Sequence, residues 1–178
     1  MRPLGLRQIA RYAIPPLALL VSAAHARADV RITLSFVNYE HEIYPREAEH
    51  RAAFVREFVL TKDGRVKTSL SGTRRHGKDI ETSLGGTVEG GSAKSGTEHV
   101  ETFTVDNGDF VMTSNFPSYR MVMRIKTNQV DTCEATREFK LNQGYAYYVM
   151  HRRGSREEMR VSEIRTENMS CKIEAVAK

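Results

Sequence analysis

The stretch YEHEIYPREAEH, residues 39–50, gathers the densest set of side chains that could do chemistry: His41, Glu42, Glu47, Glu49 and His50. Imidazoles beside carboxylates are the ligands of a transition metal and also the acid–base groups of a hydrolase. Spacing argues against the metal. A helical zinc-protease motif needs a second histidine four residues after His41, and that position is Pro45. Glu47 and His50 stand three apart and would share a helix face, but such pairs are ordinarily solvated surface. No metal and no cofactor is expected. A hydrolase-like site remains conceivable only if strands distant in sequence assemble it, with His41 or His99 set against Glu98 or Glu101.

Two basic turns could bind an anion: GTRRHGKD, with Arg74 and Arg75, and HRRGSR, with Arg152 and Arg153. Guanidinium groups from both turns, gathered at one end of a barrel, would suit a phosphate or carboxylate. With Asp79, Glu157 and Glu158 close by, two solvated turns are the simpler reading. A third group is apolar: Met112, Met121, Met123 and Met150 with Tyr145 and Tyr147. Thioethers repack around varied shapes, so these residues could line a ligand cavity. A filled core with methionine as gap-filler is the favoured alternative. The DNGD stretch at 106–109 lacks the alternating ligands and terminal glutamate of a calcium loop, and reads as a turn. Asn168 in NMS matches the N-glycosylation pattern. No nucleophile-elbow, phosphate-loop or dinucleotide fingerprint occurs.

These groups need elements to position them, and the N-terminus says in which compartment. Residues 1–28 carry Arg2, Arg7 and Arg11, then an apolar run from Ala13 to Ala24, then Ala26-Arg27-Ala28. That is the layout of a cleaved export signal, with a run too short to span a bilayer. Cleavage near Ala28 leaves 29–178 as a single β-rich domain, exported to a periplasm or secreted. The chain has 27 basic and 22 acidic residues; without the four arginines of the signal, 23 face 22. A near-neutral mature protein lacks the basic face of a nucleic-acid binder. In an oxidising compartment the two cysteines, Cys133 and Cys171, are expected to bridge.

Period-2 alternation dominates the mature chain. In REFVLTKDGRVKTSL a three-residue loop, 62–64, with Gly64 left-handed, pairs Leu60 with Val66 and Phe58 with Thr68, and sets Arg56 against Leu70. In ETFTVDNGDFVM a two-residue Asn107-Gly108 turn pairs Val105 with Phe110 and Phe103 with Met112. A turn at Pro117-Ser118 then pairs Met112 with Met123 and Phe110 with Ile125. One apolar face follows across three strands: Phe103, Val105, Phe110, Met112, Phe116, Tyr119, Met121, Met123 and Ile125.

A loop at 128–130 would add a fourth strand, with Cys133 beside Ile125, Ala135 beside Met123 and Arg137 uncomfortably beside Met121. A Gly154-Ser155 turn would pair Met150 with Met159 and Tyr148 with Val161. Pro45 with Glu47, Glu49, Ala48, Ala52 and Phe54 suggests one short N-terminal helix. Segment 85–97 is rich in Gly and Ser and suggests a mobile loop or a poorly ordered hairpin.

The expected fold is therefore all-β and mainly antiparallel, a single barrel or sandwich of about nine or ten strands with that one helix. A membrane barrel is disfavoured, because the cysteines sit on the apolar face and the other face is charged. The expected function is an envelope binding or interaction module taking an apolar or anionic ligand or a protein partner, and the enzyme is the lesser alternative.

Overall fold

A computed structural model of the chain describes residues 29–72, 75–76, 79–92, 97–127, 133–152 and 155–176, with side chains described at all of these except 75–76 and 150–152. The expected signal segment, Arg74, Arg153 and the loop at 128–130 lie outside the described residues. Among those described there are twelve strands and no helix.

One sheet has seven strands: β1 (Asp29–Tyr44), β2 (Ala48–Leu60), β3 (Arg65–Gly72), β4 (Arg75–His76), β5 (Ile80–Ser83), β11 (Ala146–Arg152) and β12 (Ser155–Val176). Its order is β11-β12-β1-β2-β3-β4, with β5 also paired to β3. The other sheet runs β10-β9-β8-β7-β6, from β6 (Thr87–Gly90), β7 (His99–Asp106), β8 (Asp109–Asn115), β9 (Tyr119–Lys126) and β10 (Glu134–Leu141). All ladders are antiparallel. The larger sheet curls against the smaller, giving the sandwich or barrel-like fold that alternation implies.

Alternating side chains from both sheets meet between them. Ile32, Leu34, Phe58 and Val66 of the larger sheet face Phe103, Phe110, Met112, Met123 and Ile125 of the smaller, all of them buried. Phe58 meets Phe103 and Phe110 edge-on, with ring centroids at 6.5 and 5.1 Å, a geometry aromatic quadrupoles favour. The seam where β10 passes β12 is closed covalently. Cys133 and Cys171 are bonded, with Cα atoms 5.4 Å apart.

Three hairpins take the registers that the apolar pattern demands: Leu60 pairs with Val66, Phe103 with Met112, and Met112 with Met123. Gly64 and Gly108 have positive φ, 79° and 91°, and Asn107 joins Gly108 at 51°, as a turn matched to strand twist requires. Val105, expected on the buried face, is 37 % exposed, although its partner Phe110 is buried.

Three expectations are corrected, and for segment 85–97 the hairpin alternative holds. The segment read as a helix is turn and strand: β2 begins at Ala48 and stays in register with β1 from Glu42↔Ala48 to Val30↔Leu60. Ala48, Ala52 and Phe54, spaced like a helical stripe, are also positions of equal strand parity, and pairing with β1 decides between the two. Segment 85–97 holds β6, paired with β7, with 93–96 outside the described residues. On β10, Ala135 pairs with Ile125, Arg137 with Met123 and Phe139 with Met121. On β11, Tyr148 pairs with Met159 and Ala146 with Val161, and the ladder closes at Arg152↔Ser155. Both register errors are slips of two residues. A slip of two returns every side chain to its own face, so the apolar pattern cannot detect it.

Candidate functional site

Between the sheets lies a cavity of about 300 Å³. Met112, Met121 and Met123 line it, together with Phe36, Phe54, Phe116, Tyr119, Phe139, Tyr148 and Ile164. The three methionines therefore belong to the buried core and also border a space that the core leaves open. Parity keeps the other two tyrosines out. Ala146 and Tyr148 turn inward on β11, whereas Tyr145 stacks on the Arg160 guanidinium at 5.4 Å and Tyr147 pairs with Arg160. Met150 lies on β11, paired with Glu157.

Polar groups enter this apolar space from strand positions of inward parity. Arg56 follows the buried side of β2, two residues before Phe58. Its Nη1 and Nη2 donate to both carboxylate oxygens of Glu101 on β7, at 3.1 and 2.8 Å, the two-bonded geometry that suits guanidinium and carboxylate. Arg56 Nε donates to Thr68 Oγ1 at 3.1 Å, and the Ser114 hydroxyl donates to Glu101 at 3.2 Å. Burial opposes ionisation of Glu101, but the charge and hydrogen bonds of Arg56, with His99 and Ser114, outweigh it and hold the carboxyl below its ordinary range.

His99 stands beside this pair, its Nε2 3.8 Å from Glu101 and its ring stacked on Phe116 at 4.5 Å. Its Nδ1 donates to the Thr97 carbonyl at 2.9 Å. Tyr119 stacks on Phe116 at 4.2 Å, and burial pushes its phenol up to about 12. The phenol remains a neutral hydrogen-bonding group on the wall.

On the other side Arg137 reaches in from β10, between the Phe36 and Phe139 rings at 4.2 and 5.0 Å. It is half-buried and lines the cavity. Burial pulls its guanidinium down to about 10, with Tyr119 opposing that change and Arg56 adding to it. Both its hydrogen bonds use Nη1, to Asn38 Oδ1 at 2.7 Å and Thr166 Oγ1 at 3.2 Å.

The histidine–carboxylate groups flagged first are dispersed. His50 pairs with buried Glu42 at 2.5 Å. His41 lies 3.3 Å from Glu47, and Ser162 Oγ lies 3.1 Å from His41 Nδ1. That is the order serine–imidazole–carboxylate, but Glu47 is 82 % exposed and holds the ring weakly. In the cavity the order is wrong for a triad. Ser114 donates to Glu101 and not to His99, and Glu101 is tied to Arg56. Among the described residues no group of three or more His, Cys, Asp or Glu side chains could hold a metal.

β4, with Arg75, and β11, with Arg152, are opposite edges of the larger sheet. Among the described residues, the cations that line the cavity are Arg56 and Arg137, on strands. Their signal was in the sequence: each is a charge at the parity of an apolar face, Arg56 with Phe58 and Leu60, Arg137 with Ala135 and Phe139. Thr68, Glu101 and Ser114 repeat the pattern.

Among known proteins, no family model, no characterised protein and no solved structure matches this chain.

Proposed function

We propose that this protein is an exported binding module of the cell envelope that holds a small, largely apolar ligand between its two sheets. The observation that supports this most is the cavity of about 300 Å³, walled by methionine and aromatic side chains with a few convergent polar groups. Pockets for small molecules have that composition and start at about that size. An exported, oxidising location is compatible with the Cys133–Cys171 bond. Titrating the disulfide-bonded protein with a neutral solvatochromic dye tests the reading. Saturable, blue-shifted fluorescence with one site per chain is expected. Dye that finds no site in the native protein refutes it.

A hydrolase-like activity is the second reading, and it rests on Ser162, His41 and Glu47 standing in relay order. A fluorophosphonate probe tests it. Covalent labelling of Ser162, lost in His41→Ala, supports an enzyme; an unlabelled native protein removes that reading.

A further inference from the structure

Arg137 is an expensive residue for a protein to place where it stands. Arg137 is half-buried, and a guanidinium drawn into an interior is normally matched by a carboxylate, as buried Arg56 is by Glu101. Among the described residues no carboxylate forms an ion pair with Arg137; its two protein partners are the neutral Asn38 and Thr166. Both take Nη1, and Nε is buried with no partner at all. A buried donor left unmade costs stability, more so when the group is charged. The edge left over presents Nη2, which is neither bonded to the protein nor enclosed by it, and a carboxylate can accept a charge-assisted bond there.

Several features around that edge point to an occupant. Phe36 and Phe139 lie against the guanidinium and hold its plane. The cavity it lines contains about 300 Å³, the share of about ten waters in the liquid. Its methionine and phenylalanine walls suit an apolar body more than ten waters. Glu40 also lines the cavity. Arg56 is paired with Glu101, whereas among the described residues Arg137 has no ion-pair partner.

We infer that the ligand of this cavity is a small organic acid, a carboxylate on a short aliphatic or single-ring body, held by Nη2 of Arg137 with its body against Met112, Met121, Met123 and Phe139. The inference rests on the cavity being a binding site, and the experiment separates the two claims.

The test displaces a bound neutral dye from the full disulfide-bonded protein with matched pairs: benzoate against benzamide, and hexanoate against hexanamide. Each carboxylate is expected to compete at least tenfold better than its amide. Arg137→Met should keep the dye site and erase that preference, while Arg137→Lys, which keeps the charge and loses the planar fork, should weaken it. In the unsubstituted protein the Arg137 Nε–H resonance should shift with benzoate and stay in place with benzamide, a readout that needs no variant to fold. Acid and amide competing equally, or an unshifted Nε–H resonance at saturation, overturns the carboxylate and leaves an apolar site standing. Absence of any dye site overturns both.

Discussion

Arg56 of the larger sheet and Glu101 of the smaller are joined by two hydrogen bonds, at 3.1 and 2.8 Å, across the interior of the protein. Each side chain is less than a tenth exposed. The pair ties β2 to β7 in one relative position, and removing one partner strands the other charge in the interior. Glu101→Gln or Arg56→Met should each destabilise by about 3–5 kcal/mol in denaturant unfolding. The double replacement Arg56→Met with Glu101→Leu should cost much less than the two singles added, since no charge is left unmatched. Additive losses would mean that the two side chains do not act as a pair.

The same relationship sets a pH dependence. Glu101 titrates below its ordinary value of 4.5 in the folded protein, so at low pH the unfolded chain binds its proton first. Its stabilisation is fully present above the ordinary glutamate range and drains away as pH falls through the lowered value. Denaturant midpoints should be flat near neutrality and fall below about pH 4.5. Glu101→Gln should remove part of that slope. Exposed Glu49 and Glu174 are also held low by nearby cations, but solvent screens them and their share is small. An identical acid slope in Glu101→Gln would place the effect elsewhere.

How far the sequence could be read follows from what period-2 alternation encodes. Parity decides which face a side chain takes, and parity alone gave the apolar faces, the inward cysteines and three registers. It is blind to an even slip, which is why β10 and β11 were each misplaced by two residues. It is also ambiguous where apolar residues stand four apart, as in Ala48 and Ala52, because helix and strand both bring such positions to one face. The site was hidden for a different reason. His41, Glu42 and His50 attract notice by crowding in sequence, whereas Arg56, Glu101 and Arg137 come from three strands and meet only through the packing of the sheets. Each broke the parity of its own strand, and that mismatch was the readable sign.

Turn chemistry gives a sharp local test. A Cβ built on Gly64 or Gly108 meets nothing within 4 Å, so any penalty for a side chain there is conformational. Their φ values, 79° and 91°, lie where L-residues are strained. Gly64→Val and Gly108→Val should each cost on the order of 1–2 kcal/mol, with no change in the cavity's dye affinity. An unchanged unfolding midpoint would contradict the turn assignments.

The disulfide closes the seam that no hydrogen-bond ladder spans between β10 and β12. With a sequence separation of 38, it removes about 4 kcal/mol of chain entropy from the unfolded state in the loop-closure treatment. Cys171→Ser should lower stability by about 2–5 kcal/mol. Protein recovered from an oxidising compartment should contain no alkylatable thiol when unfolded without reductant. Two alkylated cysteines per chain would refute the bridge.

Met123 distinguishes a packed core from a site. It is 1 % exposed, pairs with Met112 on one side and Arg137 on the other, and lines the cavity. In a filled interior, enlarging it to tryptophan would force neighbours apart at about 1–3 kcal/mol. Beside about 300 Å³ of open space the indole has somewhere to go. Met123→Trp should therefore leave the unfolding midpoint within about 1 kcal/mol of the parent while abolishing dye binding and carboxylate competition. The chain has no other tryptophan, so emission comes from this position alone and should be blue-shifted, reporting an apolar surrounding. Heavy destabilisation with dye affinity intact would mean that Met123 is packed on every side and that ligands bind elsewhere.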